Sequence, residues 1–348
     1  MKNYQKILEA SYELMNQNSN ILCFGLGVTD EKGVFGTTIG LKKSFGDNRV
    51  FDTPTSENAM TGIAVGLAIK GKLPILCHQR FDFALLSIDQ IVNSAAKWNF
   101  MFGGQFEVPL TIRMIIGRGW GQGPTHSQDF SSWFLNVPGI RVIYLSRPEI
   151  TKSVFKQVVL NRSPCILIEH RWIHNFESKI NLEFNIDDGC EILNRGKDLT
   201  IVASSYNTLF IQQCLSFFKK NRLSVELINL VELNNKALEK IVKSVKKTKR
   251  LYCIDTSHMR GSVSSYVISH IYSTCFKYLK IKPRIFGRPD EQEPTSFILT
   301  KNYYPTLEDL FSKIDLDFKG INLVKKMPFK MKEIIYHDIP GEWFKGPF

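Results

Sequence analysis

Apolar positions along this chain come in two rhythms, a three-to-four spacing and short unbroken runs. Ile7, Leu8, Tyr12 and Leu14 predict an amphipathic helix within residues 1–19. A glycine-rich loop, "FGLGVTDEKGVFGTT", follows from Phe24. The stretch "NRVFDTPTSENAMTGIAVGLAIKGKLPILCH" reads as a short strand, a helix from about Ser56 to Lys70, and a strand from Leu73 to His78. Ile88, Ile91, Val92, Ala95 and Ala96 then mark the apolar face of a helix in "LLSIDQIVNSAAKWNFMFGG". "VPLTIRMII", "GIRVIYLS" and "SPCILIEH" read as strands, with a helix in "PEITKSVFKQVVLN". The alternation of helices and strands predicts a parallel α/β layer.

The rhythm breaks across "HNFESKINLEFNIDDGCEILNRGKD", a polar, turn-rich stretch that predicts a linker. It then restarts: strands in "LTIVASS", "LSVELINL", "RLYCIDT" and "KPRIFG" alternate with helices in "NTLFIQQCLSFFKKN", "NKALEKIVKSVKKT" and "SVSSYVISHIYSTCFKYLK". The expected organisation is therefore an α/β domain over 1–185, a smaller α/β domain over 186–325, and a C-terminal arm over 326–348.

The composition suits this picture. The chain has 348 residues, 43% of them hydrophobic, enough for two cores. No apolar run approaches the ~18–20 residues of a membrane span, and the polar N-terminus reads as a helix, not a signal peptide. None of the seven cysteines pair as CxxC, and most sit in apolar runs, as expected of buried free thiols in a reducing compartment. The chain thus reads as soluble and cytoplasmic. The net charge is +12, densest in "KALEKIVKSVKKTKR". There Leu238, Ile241, Val242 and Val245 share one helix face and the lysines the other, which predicts a solvated face. No interleaving of aromatic and basic residues suggests nucleic-acid binding.

The chemistry is less plain. "IIGRGWGQGPTHSQDF" resembles a phosphate loop but lacks the Lys-Ser/Thr of a P-loop and the spacing of a dinucleotide loop. His170 and His174 lie four apart in strand-like sequence, His258 stands alone, and neither HExxH nor GxSxG occurs, so no metal site is expected. Glu57 opens a helix of small and apolar residues, where the helix dipole favours a carboxylate.

Three stretches in order, "RVFDTPTSENAMTGIAVGLAIKGKLPI", "FDFALLSIDQIVNSAAKWNFMFGG" and "VPLTIR…GPTHSQDFSSWFLNVPGIRVI", resemble the thiamine-diphosphate family. The resemblance is closest to the β subunits of 2-oxo acid dehydrogenase first components, and to their transketolase-like relatives. It spans most of residues 20–175 and continues more weakly through "GKDLTIVASS", "VELINL" and "IDTSHMRGSV". It implies an N-terminal pyrimidine-binding domain and a C-terminal transketolase-like domain. It also implies a partner α subunit that carries the diphosphate- and Mg2+-binding half, in an α2β2 assembly, with a lipoyl acyltransferase as a further partner. The GDG…N signature of the α half does not occur in this chain.

The same resemblance implies roles. Glu57 matches the glutamate that hydrogen-bonds N1′ of the aminopyrimidine and drives the tautomer able to deprotonate the thiazolium C2. Phe83 matches the aromatic that stacks on that ring. His126 matches the histidine near C2 and the substrate. The default activity is 2-oxo acid decarboxylation and dehydrogenation. A transketolase-like or carboligating enzyme on a polar substrate is the first alternative, and a non-catalytic scaffolding paralogue the second. Departures from the dehydrogenases keep the alternatives open. Leu26 and Gly27 stand where an acidic residue is usual, Asn161 where an acidic cation ligand is usual. His78, Arg80, Arg118 and Arg171 add polar and cationic groups, and are candidate substrate contacts.

Overall fold

The computed structural model describes residues 1–119 and 121–328. The described residues divide into two compact units, residues 1–117 with 128–186, and residues 118, 119 and 121–127 with 187–328. The expected C-terminal arm lies outside the described residues from 329 on, as does Trp120.

The first unit is built on six parallel strands: β1 (Ile21–Gly25), β2 (Val50–Phe51), β3 (Leu73–His78), β4 (Thr111–Ile116), β5 (Arg141–Leu145) and β6 (Cys165–His170). Their order is β2-β1-β3-β4-β6-β5. Every residue of β1, β4 and β6 is buried. β1 reads as a continuous apolar run because a parallel sheet is covered on both faces, while β4 and β6 also bury Arg113 and Glu169. Helices Asn3–Gln17, Glu57–Ile69 and Pro148–Val159 form where the helical spacing predicts them.

Two local expectations fail here. The predicted glycine loop begins inside β1, a strand too short to announce itself. Its last residue must be glycine, because a Cβ on Gly25 would lie 2.3 Å from the Cys77 carbonyl oxygen on β3. The helix expected in residues 85–104 is broken into a 3-10 turn at Leu85–Ser87, a π-helix at Gln90–Ala95 and a short helix at Trp98–Met101. The wide turn still buries Ile91 and Ala95, with the Ala96 amide donating to the Ile91 carbonyl (3.0 Å). Apolar spacing of four to five residues does not separate these helix types.

The second unit holds β7 (Cys190–Asn194), β8 (Leu199–Ser204), β9 (Val225–Leu230), β10 (Leu251–His258) and β11 (Arg284–Arg288), in the order β11-β10-β8-β9-β7. All neighbours are parallel except β7, which pairs antiparallel with β9. β7 falls inside the predicted linker. It is a polar edge strand with only Cys190 fully buried, so it lacks the apolar run that exposes the central strands. Helices Tyr206–Lys220, Asn235–Thr248 and Val263–Cys275 follow the predicted pattern. The Asn234 side chain caps the second of these by accepting from the Ala237 amide (2.9 Å). That helix buries Leu238, Ile241 and Val245 and turns most of its lysines outward. Helix Leu307–Asp317, unread in the sequence, is closed by a reciprocal Thr306–Asp309 capping box and sets Phe311 against Phe217 and Phe218. All seven cysteines are free and buried.

Candidate active site

A pocket of about 360 Å³, part of it open solvent, lies at the carboxyl ends of β1 and β3. This is the end of an open parallel sheet where ligands are usually received. Glu57, Met60, His78, Gln79 and Phe83 line it, together with Leu26, whose side chain is largely exposed. No lysine or arginine is among its lining residues.

Each lining side chain is held from behind. Glu57 is the first residue of helix Glu57–Ile69, where unpaired backbone N–H groups favour a negative charge. The Thr61 hydroxyl donates to the Glu57 carbonyl (2.8 Å) and shares a hydrogen bond with the Ser87 hydroxyl (2.9 Å). The first turn of the helix is thereby tied to the segment that follows Phe83. The Glu57 carboxylate is half-buried and makes no ion pair among the described residues. Phe83 belongs to the short helix Phe81–Ala84. Phe81 enters the core against Phe130 and Phe134, while Phe83 faces the pocket. Asp82 accepts from Gln128 Nε2 (2.7 Å), fixing this helix against the strand-to-strand connection.

His78 ends β3. It is 5% exposed, and its Nε2 is buried with no hydrogen-bond partner among the described residues. Burial pushes its pKa down to about 4, so the imidazole is neutral at physiological pH. The Gln79 side chain donates to the Leu26 carbonyl (2.9 Å), joining the rim of β1 to that of β3.

The next residue inward, Cys77, turns to the other face of the sheet, where its sulfur accepts from Arg113 Nη1 (3.4 Å). Arg113 also donates to Thr37 Oγ1 (2.7 Å) and, through two nitrogens, to Glu169. His174 Nε2 lies 3.2 Å from the same carboxylate. Burial alone would raise the Glu169 pKa, but the Arg113 charge and hydrogen bonds hold it down to about 2.

Glu57, Phe83 and His78 therefore meet at one pocket, and the other sequence-predicted residues do not line it. Arg80 packs its guanidinium over the Phe35 ring, 5.1 Å from the centroid. Arg171, fully buried after β6, lays its side chain against Gly117, where a Cβ would come within 2.6 Å of Arg171 Cγ. Asn161 accepts from the Ser163 amide (2.9 Å). Arg118 and His126 go with the second unit. There the Arg118 guanidinium stacks over Tyr304 at 3.8 Å, and burial lowers its pKa to about 10, still charged at neutral pH. Tyr304 donates to Glu293, which also pairs with Arg288 (2.6 Å). His126 is exposed, with Nδ1 3.0 Å from Thr125 Oγ1. Among the described residues, no three His, Cys, Asp or Glu side chains gather as metal ligands.

Sequence reasoning missed Met60 as a pocket wall and the Thr61–Ser87 lock. A threonine one turn after the helix-opening glutamate is the only local signal for either. It also missed Tyr304, Glu293 and Thr295 as the packing for residues 118–127, where Thr295 lies against Gly121 and Gly123.

Residues 2–174 match the family described as "Transketolase, pyrimidine binding domain", and residues 188–310 that described as "Transketolase, C-terminal domain". The chain is 30% identical over 304 residues to the mitochondrial pyruvate dehydrogenase E1 component subunit beta-2 of Oryza sativa subsp. japonica, covering 86% of this chain and 81% of that protein. It is 31% identical over 277 residues to the mitochondrial pyruvate dehydrogenase E1 component subunit beta of Saccharomyces cerevisiae, covering 78% and 76%. A solved structure described as "Split gene transketolase, inactive beta4 tetramer" superposes with a TM-score of 0.73 at 18% identity, covering 94% of this chain and 97% of the other, and so shares the fold. The chain belongs to the family of thiamine-diphosphate-dependent E1 β subunits and their transketolase-like relatives.

Proposed function

We propose that this chain is the pyrimidine-binding β subunit of a two-subunit thiamine-diphosphate enzyme of the 2-oxo acid dehydrogenase type, acting on a C–C bond beside a carbonyl. The observation that carries the proposal is the convergence of Glu57, Phe83 and an unpartnered His78 nitrogen on one pocket. These residues suit the pyrimidine end of the cofactor. A carboxylate without an ion pair can take a ring hydrogen bond, and an aromatic side chain can stack. The same pocket does not suit the diphosphate, since its lining carries no cationic side chain.

Thiamine diphosphate, when bound, supplies the electron sink for cleavage beside the carbonyl. This chain's residues do the rest. Glu57 would hold the proton shared with ring N1′, Phe83 would fix the ring plane, and His126 would move protons or donate to a substrate carboxylate. A partner α subunit would hold the diphosphate and Mg2+, in an α2β2 assembly, and a lipoyl acyltransferase would accept the product.

A second reading, carboligation on a polar or phosphorylated substrate, is favoured by the buried cations Arg80 and Arg171, just past the carboxyl ends of β3 and β6. With Arg118 and His78, they are the residues to test for substrate contact. Co-expression with a chain carrying GDG…N, followed by thiamine-diphosphate titration and assays with pyruvate and branched 2-oxo acids, tests the proposal. A complex that does not bind the cofactor rules it out. Binding without 2-oxo acid turnover, with turnover of a sugar phosphate, selects the second reading. Alanine variants of the arginines with unchanged apparent substrate affinity would remove the contact assignment.

A further inference from the structure

We infer that His78 is a second, uncharged hydrogen-bonding contact to the planar nitrogen heterocycle received by Glu57 and Phe83. The inference rests on the pyrimidine-pocket reading above and adds a residue to it. Leu76 and His78 lie two apart on β3, so their side chains share one face of the sheet, and both residues line the pocket. His78 is 5% exposed. Its Nε2 is buried, and nothing among the described residues bonds to it. A buried polar atom left without a hydrogen bond is costly, and here that atom belongs to a residue that lines the pocket.

The charge state suits a ring contact. Glu57 is the carboxylate lining this pocket. A protonated imidazole nearby would be an ion-pair partner for that carboxylate, in competition with an incoming ligand. Burial keeps His78 neutral at any pH well above about 4, so Glu57 is left for the ligand. A neutral imidazole offers either a donor or an acceptor at Nε2, as its tautomer allows. It can therefore pair with a ring nitrogen or an exocyclic amine, and it does not demand an anion.

The test uses the full chain in complex with its α partner and the probe 4-amino-5-hydroxymethyl-2-methylpyrimidine, followed by NMR titration with 15N-labelled histidine. Wild-type protein should bind, with the His78 Nε2 resonance moving on titration. His78→Phe, which keeps bulk but loses the polar atom, should weaken binding by about 3- to 10-fold. His78→Gln, which restores hydrogen bonding, should stay within about twofold of wild type. Thermal melts establish that each variant is folded. If His78→Phe binds like wild type while Phe83→Leu loses the probe, the His78 contact is wrong and the pocket reading stands. If His78→Phe and His78→Gln are equally weakened, the effect is one of shape, and the hydrogen bond is likewise overturned. If wild type does not bind the probe, the pocket reading itself fails.

Discussion

Arg113 clasps Glu169 through two hydrogen bonds, Nε to Oε1 at 2.5 Å and Nη2 to Oε2 at 2.9 Å, with both side chains about 1% exposed. The pair joins β4 to β6, on the side of the sheet reached by Cys77, and steadies the strands whose ends carry Gly117 and Arg171. A buried pair of this kind adds little over an apolar replacement, but removing one partner strands the other charge. Glu169→Gln should therefore destabilise the protein by about 3–5 kcal/mol, read as a shift in the urea unfolding midpoint.

The same carboxylate sets an acid limit. Its folded pKa, about 2, lies below its ordinary value of 4.5. A depressed carboxylate contributes stability that is present above its unfolded pKa and lost as pH falls through the folded one. Unfolding free energy should thus decline between about pH 4.5 and pH 2, and Glu169→Gln should flatten that part of the profile. An equally steep decline in the variant would place the titration elsewhere.

Glu57 is half-buried and without an ion pair among the described residues, so its loss should leave the fold intact. In the complex with the α subunit, Glu57→Gln should lower turnover by about 10²–10⁴-fold. The melting temperature of the chain should stay within about 2 °C of wild type. A large drop in melting temperature would make Glu57 structural.

Gly25 meets the Cys77 carbonyl so closely that no side chain fits. The obstacle is backbone of the neighbouring strand, which cannot swing aside. Gly25→Ala should cost about 1–3 kcal/mol in chemical denaturation, and should also weaken pyrimidine binding, because β1 and β3 would part at the pocket rim. Wild-type stability in this variant would show that the strand ends can separate freely.

Tyr304 is the platform for Arg118 and the donor to Glu293. Tyr304→Phe keeps the ring and loses the hydroxyl; Tyr304→Leu loses both. The first should retain most of the stacking, and the second should destabilise by a further ~1–2 kcal/mol. Equal losses would mean the hydroxyl, not the ring, holds Arg118.

The strands and helices with strong periodicity were legible: Asn235–Thr248 emerges with the bounds its pattern predicts. Glu57 and Phe83, singled out in the sequence through the family resemblance, both line the pocket. His78 stood out only as an unusual polarity, and its unpartnered nitrogen is a product of tertiary packing. The arginines stand outside this pocket's lining, and that placement was not legible because charge is visible in a sequence while burial is not. Arg80, Arg118 and Arg171 each spend their guanidinium or stem on a partner, Phe35, Tyr304 and Gly117, that no local pattern links to them. β7 was hidden for the reverse reason, being polar and held by its neighbour β9.

The described residues of 118–127 belong by packing to the second unit, although the chain returns to the first at Gln128. The polypeptide therefore passes between the units at three places, not one. A single cut after Ile186 would leave the N-terminal fragment carrying a segment, His126 included, whose packing partners are on the other fragment. Expressed apart, the halves should each melt at a lower temperature than the whole chain, and mixing them should restore part of the loss.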